Sequence, residues 1–336
     1  MSADEFRVVA PGRVNIIGDH TDYTGGLCLP MAIDLATTLM VSRGGDRVEL
    51  VSADEPDPAS VALDVSEGDV GAMMPYWARY VAGVVRVVRP SIGLKGHVET
   101  TIPIGAGLSS SAAFEVAIAL ALALEGTPFE IALACQKAEQ LATGVPTGIL
   151  DQLASAAGRP GQAMILDCHD HTLSYVPMPE AVDIVVIHSG QGRQLAASGY
   201  SARVEECRIA EREIGPLRLA SLAAANSIAD PVVARRARHV VSENLRVRDF
   251  AAAMAAADFQ TAGAIMTESH RSLRDDYESS HPVCDELVDS LLSRTGVLGA
   301  RITGGGFGGC VVALTEPGAL TEGWHVRAAG GARVIT

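Results

Sequence analysis

Two segments of this 336-residue chain gather residue types that could do chemistry. The first is Pro103-Ile104-Gly105-Ala106-Gly107-Leu108-Ser109-Ser110-Ser111-Ala112-Ala113, which joins an alternating, strand-like stretch to a strongly apolar, helix-like one. Glycines let a backbone pass close to an anion, and the free N–H groups of a helix start carry partial positive charge. Such a segment suits a phosphate, although it has neither the G-K-[ST] of a Walker loop nor the G-x-G-x-x-G of a dinucleotide site. A serine-capped helix after a tight turn is the alternative, but one cap needs one serine and there are three. The second segment is Gly12-Arg13-Val14-Asn15-Ile16-Ile17-Gly18-Asp19-His20-Thr21-Asp22-Tyr23, with one cation, two carboxylates and a histidine within ten residues. Short carboxylates beside a histidine suit a polyol, because each accepts from several hydroxyls. A metal site is a rival, yet nothing closes a ligand set, and a polar loop capping itself stays open too.

Two weaker segments follow. Asp151 in Gly148-Ile149-Leu150-Asp151-Gln152 lies among small and apolar residues and reads as a base or as a helix N-cap, with the cap favoured on this segment alone. Thr303-Gly304-Gly305-Gly306-Phe307-Gly308-Gly309-Cys310 indicates a backbone pressed against a ligand or another loop.

The elements that must hold these segments are readable from periodicity and turn residues. Strands are expected at Arg7–Val9 (ending in a Pro11-Gly12 turn), Leu27–Met31, Thr37–Ser42, Gly96–Ile102, Ala163–Asp167, Ile184–His188, Gly299–Thr303 and Cys310–Thr315. Gly44–Pro58 reads as a surface loop. Helices are expected at Met74–Val88, Ala112–Leu124, Glu130–Thr143, Gly199–Ile214, Ala234–Ala256, Ala262–Leu273 and His281–Thr295. Trp77 falls at helical spacing and reads as core. Interleaving without strict alternation points to an α+β fold. The two prolines of Pro177-Met178-Pro179 favour an extended linker, dividing residues 1–178 from 179–336.

Composition narrows the function classes. Lys plus Arg is 26 against 40 Asp plus Glu, a net charge of −14. That balance argues against nucleic acid and against an anionic membrane surface. It leaves a phosphate ligand open, since backbone amides and one or two cations can hold one. Cys28, Cys135, Cys168, Cys207, Cys284 and Cys310 form no C-x-x-C pair, so neither zinc nor a disulfide framework is expected, and a reducing cytoplasmic setting is. Met1–Arg7 lacks the apolar run of a signal peptide. The longest apolar stretch, Ala112–Leu124, contains Glu115 and falls short of the ~18 residues of a membrane span.

In order along the chain, Ala10–Tyr23, Pro103–Ala113 and Thr303–Cys310 resemble the three motifs of the galactokinase family. That family sits among the sugar and small-metabolite kinases that include homoserine, mevalonate and phosphomevalonate kinases. Trp77–Val84, Gly148–Gln152 and Leu195–Tyr200 with Glu206-Cys207 are similar to galactokinase segments too. The resemblance runs from Arg7 to about Leu314. It implies a two-lobed fold, each lobe a mixed or antiparallel sheet packed with helices, with the active site in the cleft between. It also implies transfer of the γ-phosphoryl of ATP, with Mg²⁺, to the anomeric hydroxyl of α-D-galactose, a step of galactose catabolism.

On matching positions, Asp151 faces the sugar C1 hydroxyl with Arg13 beside it. A cation there favours the charged carboxylate and stabilises charge developing on the reacting oxygens. Asp19, His20, Asp22, Tyr200 and the Gly148 backbone match sugar-contacting positions. Gly105, Ala106, Gly107, Leu108, Ser109, Ser110 and Ser111 match the triphosphate loop, and Ser111 with Glu139 the Mg²⁺ positions. The family's usual Glu before the histidine is Asp19 here, one methylene shorter, which bears on sugar choice. A C1-kinase for N-acetylgalactosamine, galacturonate or L-arabinose is therefore an alternative. A catalytically dead sugar sensor is another, and the retained serines, Arg13, Asp151 and Glu139 weigh against it. The expected partners are the sugar and Mg-ATP, for a monomer or weak dimer.

Overall fold

Period-two burial builds the first sheet of the computed structural model, which describes residues 5–145, 147–192 and 196–335. Its spine is the antiparallel pair β1 (Glu5–Ile17) and β2 (Leu27–Arg43). To these are added β3 (Arg47–Ser52), β4 (Ala59–Ala62), β5 (Leu94–Thr100), β6 (Gln162–Asp167) and β7 (Thr172–Pro177). A second sheet contains β8 (Asp183–His188), β9 (Val297–Thr303), β10 (Cys310–Thr315) and β11 (Trp324–Val326). The last strand, β12 (Arg333–Ile335), returns to pair with β1. The strand orders are β12-β1-β2-β5-β3-β4, with β6 on β2 and β7 on β6, and β11-β8-β10-β9. Pairing is antiparallel except between β3 and β5.

Ten α-helices cover the sheets among the described residues. In the first half they are α1 (Glu67–Val70), α2 (Ala78–Val88), α3 (Ser110–Ala121), α4 (Pro128–Thr143) and α5 (Leu150–Ala157). In the second half they are α6 (Ala196–Ile214), α7 (Leu222–Ser227), α8 (Pro231–Ala255), α9 (Phe259–Asp275) and α10 (Pro282–Leu292). None is long and apolar enough to cross a membrane. The architecture is α+β, as the interleaving predicts.

The second sheet is buried on both faces, and its strands show why. Ile184, Val186, Val312 and Leu314 point into the core that β1, β2, α2, α3 and α4 share. Val185, Val311, Ala313, Ala300 and Ile302 point the other way, into a cluster with α6, α7, α8 and α10. Alternate residues serve opposite layers, so the strands read as continuous apolar runs.

Several local expectations are corrected. β1 does not turn at Pro11-Gly12 but runs on to Ile17, with a register shift against β2 between Pro11 and Arg13. Gly12 serves a close approach: a Cβ there would lie 2.6 Å from the carbonyl oxygen of Leu108. Leu27–Met31 and Thr37–Ser42 are parts of one strand. The expected Gly44–Pro58 loop contains β3, whose alternation of Val48 and Leu50 with exposed residues lies between Gly/Asp and Pro-rich flanks. Helix α2 begins at Ala78, four residues after Met74.

Candidate active site

Arg13 anchors the site because the bulge in β1 re-aims it. Its backbone N–H donates to Leu108 O at 3.0 Å, fastening β1 to the glycine-serine loop. Its side chain donates from Nε to Asp151 Oδ1 at 2.7 Å, from Nη2 to Oδ2 at 2.6 Å, and from Nη1 to Gly107 O at 2.7 Å. Ser109 Oγ donates to Asp151 Oδ2 at 2.5 Å. Asp151 is therefore no N-cap: Ile149 holds that position, and Asp151 sits in the first turn of α5. Nor does Ser109 cap α3, since its backbone is left-handed (φ 61°) and its hydroxyl turns to Asp151. One face of the Asp151 carboxylate is held; its side chain keeps 32 % exposure beside a cavity.

That cavity, of about 290 Å³, is lined by Arg13, Asn15, Asp19, His20, Asp22, Glu139, Gly148, Asp151, Tyr200 and Gly304 among others. The segment from Gly18 to Thr24 wraps one wall. Gly18 (φ 90°) and His20 (φ 65°) are both left-handed, which is costly for a histidine and turns its ring inward. Thr21 Oγ1 contacts the carbonyls of Gly18 and Leu27, at 2.8 and 2.7 Å, and pins the turn. Burial pushes Asp22 up to about 6 and drives His20 well below its ordinary value. Gly148 has no side chain for a direct reason: a Cβ would lie 2.3 Å from Asp22 Oδ2.

Asp19 is held from behind. Its Oδ1 accepts from Gly304 N at 3.0 Å and its Oδ2 from Arg301, a guanidinium with no exposure that also donates to Ile16 O at 2.9 Å. Burial raises the Asp19 carboxyl even so. Glu243 of α8, likewise buried, accepts from Gly18 N at 3.0 Å and Ser269 Oγ at 2.6 Å. Burial alone would raise Glu243, but Arg246, His239 and Arg301 hold it at about 2. Arg301 and Glu243 escape sequence reasoning, because nothing local marks a lone Arg in a strand or Glu in a helix. Asn15 lines the cavity too, with its carboxamide buried beside the Asp19 carboxylate.

Behind the serines, Ser111 Oγ donates to Glu139 Oε1 at 3.3 Å. Gln152 Nε2 donates to Glu139 Oε2 at 2.9 Å and to Glu115 Oε2 at 3.2 Å. Burial, then the nearby Asp151, raises Glu139, and burial raises Glu115 further. Among the described residues no three His, Cys, Asp or Glu side chains converge on a metal position, so the Asp19–Asp22 segment closes no ligand set of its own. Beyond Gly105, Ser110 and Ser111 opens an apolar pocket walled by Tyr76, Trp77, Tyr80 and Phe114. Trp77 is core by burial, at 8 % exposure, and pocket wall by position.

The second glycine loop, Thr303–Cys310, presses on protein and cavity alike. A Cβ on Gly306 would lie 2.3 Å from Ser279 O, Thr303 Oγ1 donates to Asn15 O at 2.8 Å, and Cys310 Sγ to Ala106 O at 2.9 Å. Gly304 and Gly305 line the cavity. Of the residues expected to bind sugar, phosphate or metal, Arg13, Asp19, His20, Asp22, Glu139, Gly148, Asp151 and Tyr200 line the cavity, and Gly105, Ser110 and Ser111 line the apolar pocket, whereas the side chains of Ala106 and Leu108 are buried in the core. Leu195 of the Leu195–Tyr200 segment lies outside the described residues.

Comparison with known proteins agrees with the resemblance. Residues 1–43 match the galactokinase galactose-binding signature, 79–159 the GHMP kinases N terminal domain and 250–324 the GHMP kinases C terminal domain. The chain is 40 % identical to the galactokinase of Bos taurus over 98 % of this chain and 92 % of that one. It is 41 % identical to the galactokinase of Homo sapiens over 94 % of this chain and 85 % of that one. The crystal structure of Lactococcus lactis galactokinase complexed with galactose superposes with a TM-score of 0.91 at 30 % identity, covering 99 % of this chain and 95 % of that one. A mevalonate kinase structure, at 19 % identity and a TM-score of 0.65, shares the fold. On the strength of its sequence signature, its near full-length relatives and its fold, the chain belongs to the galactokinase family of GHMP kinases.

Proposed function

We propose that this chain transfers the γ-phosphoryl group of ATP to the anomeric hydroxyl of α-D-galactose. The observation that carries the reading is the Arg13–Asp151–Ser109 cluster at the seam between a carboxylate-lined cavity and the glycine-serine loop. Asp19, His20, Asp22, Tyr200 and the Gly148 backbone would hold the sugar, with carboxylates accepting from its hydroxyls. The backbone from Gly105 to Ser111 and the start of α3 would hold the phosphates. Tyr76, Trp77, Tyr80 and Phe114 offer the base an apolar slot.

In the transfer, Asp151 orients the C1 hydroxyl and takes its proton as the bond from its oxygen to the γ-phosphorus forms and the bond from that phosphorus to the bridging oxygen breaks, releasing ADP. Arg13 fixes the carboxylate in place and faces the charge on the reacting oxygens. A loose phosphoryl transition state asks chiefly for alignment and electrostatics, and both residues supply these. Ser111 and Glu139 suit Mg²⁺: they are hard oxygen donors, and the buried Glu139 carboxyl, raised beside Asp151, calls for a cation. Mg²⁺ bound there would neutralise phosphate charge. The setting is proposed to be cytoplasmic. A coupled ADP-release assay across galactose, N-acetylgalactosamine, galacturonate and L-arabinose tests the reading. Galactose is expected to give the highest kcat/KM, and turnover of another sugar above it, or of none, would sink it.

A further inference from the structure

Behind the cavity wall, four hydrogen-bonding side chains form a row leading away from it. His20 Nδ1 lies 2.9 Å from the Tyr23 hydroxyl, which lies 2.5 Å from the Tyr277 hydroxyl, which lies 3.2 Å from Cys207 Sγ. Tyr277 has no exposure and Cys207 has 1 %, so water does not enter at the inner end. At the outer end His20 Nε2 is buried, has no partner in the protein, and belongs to a cavity-lining residue. Ring packing holds the row: the rings of His20 and His239 pack on Tyr277 in tilted contacts, each with its centroid 4.5 Å away.

Counting protons leaves two states. Each phenol carries one proton and can donate once. Burial raises both phenols well above their ordinary range, so both keep that proton. Burial also keeps His20 neutral, with a single proton on one ring nitrogen. In one polarity Cys207 donates to Tyr277, Tyr277 to Tyr23 and Tyr23 to Nδ1, leaving the proton on Nε2. In the other, every bond reverses and Nε2 meets the cavity as a bare lone pair. Asp19, Asp22 and Asp151 line the same cavity. Carboxylate oxygens around the cavity favour an N–H at its wall over a lone pair, and Glu243 adds to that preference while Arg203 and Arg301 oppose it.

We propose that Cys207, Tyr277 and Tyr23 are positioning residues that fix His20 as its Nε2–H tautomer, so that the ring enters the cavity as a hydrogen-bond donor. A substrate hydroxyl would accept from Nε2–H and pass its own proton to a carboxylate, an arrangement that orients the hydroxyl. That the substrate is galactose rests on the proposed function; the tautomer does not.

The test is two-bond ¹H–¹⁵N correlation NMR of the histidine rings in the full chain at neutral pH, which reports which nitrogen of His20 is protonated. The expected result is Nε2–H in the native chain, and loss of that single tautomer in Tyr23→Phe, with Tyr277→Phe partly mixed. Galactose KM should rise about tenfold in Tyr23→Phe, the loss of one ordinary hydrogen bond, while the ATP KM stays within about twofold. An Nδ1–H tautomer in the native chain overturns the proposal, and that measurement needs no variant to fold. An Nε2–H signal unchanged in folded Tyr23→Phe overturns it as well. If galactose is not turned over but the ring shows Nε2–H that depends on Tyr23, the activity reading falls and the relay stands.

Discussion

Arg13 and Asp151 stand 138 positions apart in the chain and meet in a two-pronged ion pair, Nε to Oδ1 at 2.7 Å and Nη2 to Oδ2 at 2.6 Å. Two parallel bonds fix the plane of the carboxylate as well as its place. With Ser109 also donating to Oδ2, the rest of the carboxylate is aimed at the cavity.

Asp151→Asn keeps this shape and loses the charge and basicity. The expected outcome is sugar and ATP binding within about tenfold of the native chain and kcat lower by ~100-fold or more. Steady-state kinetics on the folded variant check this; a near-native kcat removes Asp151 from the chemistry.

Glu139 is expected to hold the activating cation. Glu139→Ala should raise the Mg²⁺ concentration for half-maximal activity by about tenfold or more, since one of few protein oxygens is lost. Titrating Mg²⁺ at fixed ATP measures it. An unchanged midpoint would mean that the carboxylate serves only its bonds to Ser111 and Gln152.

Gly148→Ala places a methyl where Asp22 Oδ2 now lies, 2.3 Å from the ideal Cβ position. Asp22 must then swing away, and galactose KM should rise by about tenfold, one hydrogen bond's worth, with ATP KM unchanged. A native galactose KM would show that Asp22 reads no hydroxyl.

Asp22 also sets a pH dependence. Burial raises its carboxyl from the ordinary 3.8 to about 6. The ionised form accepts from more hydroxyls than the protonated one, so kcat/KM for galactose should fall as pH drops through about 6. Asp22→Asn should lower the plateau and remove that limb. The folded state binds this proton more tightly than the unfolded chain, so the effect on stability runs the opposite way. The contribution of Asp22 is complete below 3.8 and disappears as pH rises through about 6. An acid limb that survives in Asp22→Asn assigns it to another group.

Arg301 faces two buried carboxylates, Asp19 in contact and Glu243 at 4.0 Å. Arg301→Met takes its charged partner from the buried Asp19, while Glu243 keeps Arg246, Ser269 and the Gly18 N–H, and the expected loss is ~3–5 kcal/mol of stability. Denaturant unfolding measures it, and a change below ~1 kcal/mol would show that the pair costs as much to bury as it returns.

The fold class and the two glycine loops were legible because glycine, serine and apolar periodicity are local signals. Asp151 alone reads as a helix cap, and Arg13 and Ser109, both far off in sequence, give it other partners. The alternative of a serine-capped helix also fails on a distant partner: Ser109 stands at the head of α3 but makes no capping bond and turns to Asp151. The Pro11-Gly12 pair misled because a glycine required by a crossing carbonyl is indistinguishable from one required by a turn. Arg301, Glu243 and Tyr277 were invisible in principle. Each sits in an ordinary strand or helix, or just past one, and matters only for what lies across the cleft.

Strand β2 begins at Leu27, just after the segment that walls the cavity, and ten residues on its Thr37 borders the apolar pocket beyond the serines. It is clamped along that length by β1, and at its two ends by β6 and β5. A pleated strand is a graduated ruler, marked every ~3.3 Å with the marks alternating sides. Along its regular runs, Pro30–Ala32 and Ala36–Ser42, one residue more or less would turn the later marks to the wrong face, so only steps of two, ~6.6 Å, keep the core intact there. Between the runs lies the register shift where β1 passes Gly12, and a bulge absorbs an odd residue. The distance between cavity and pocket is therefore tuned at that break and is stepped within the runs, while either can be recut by exchanging its side chains.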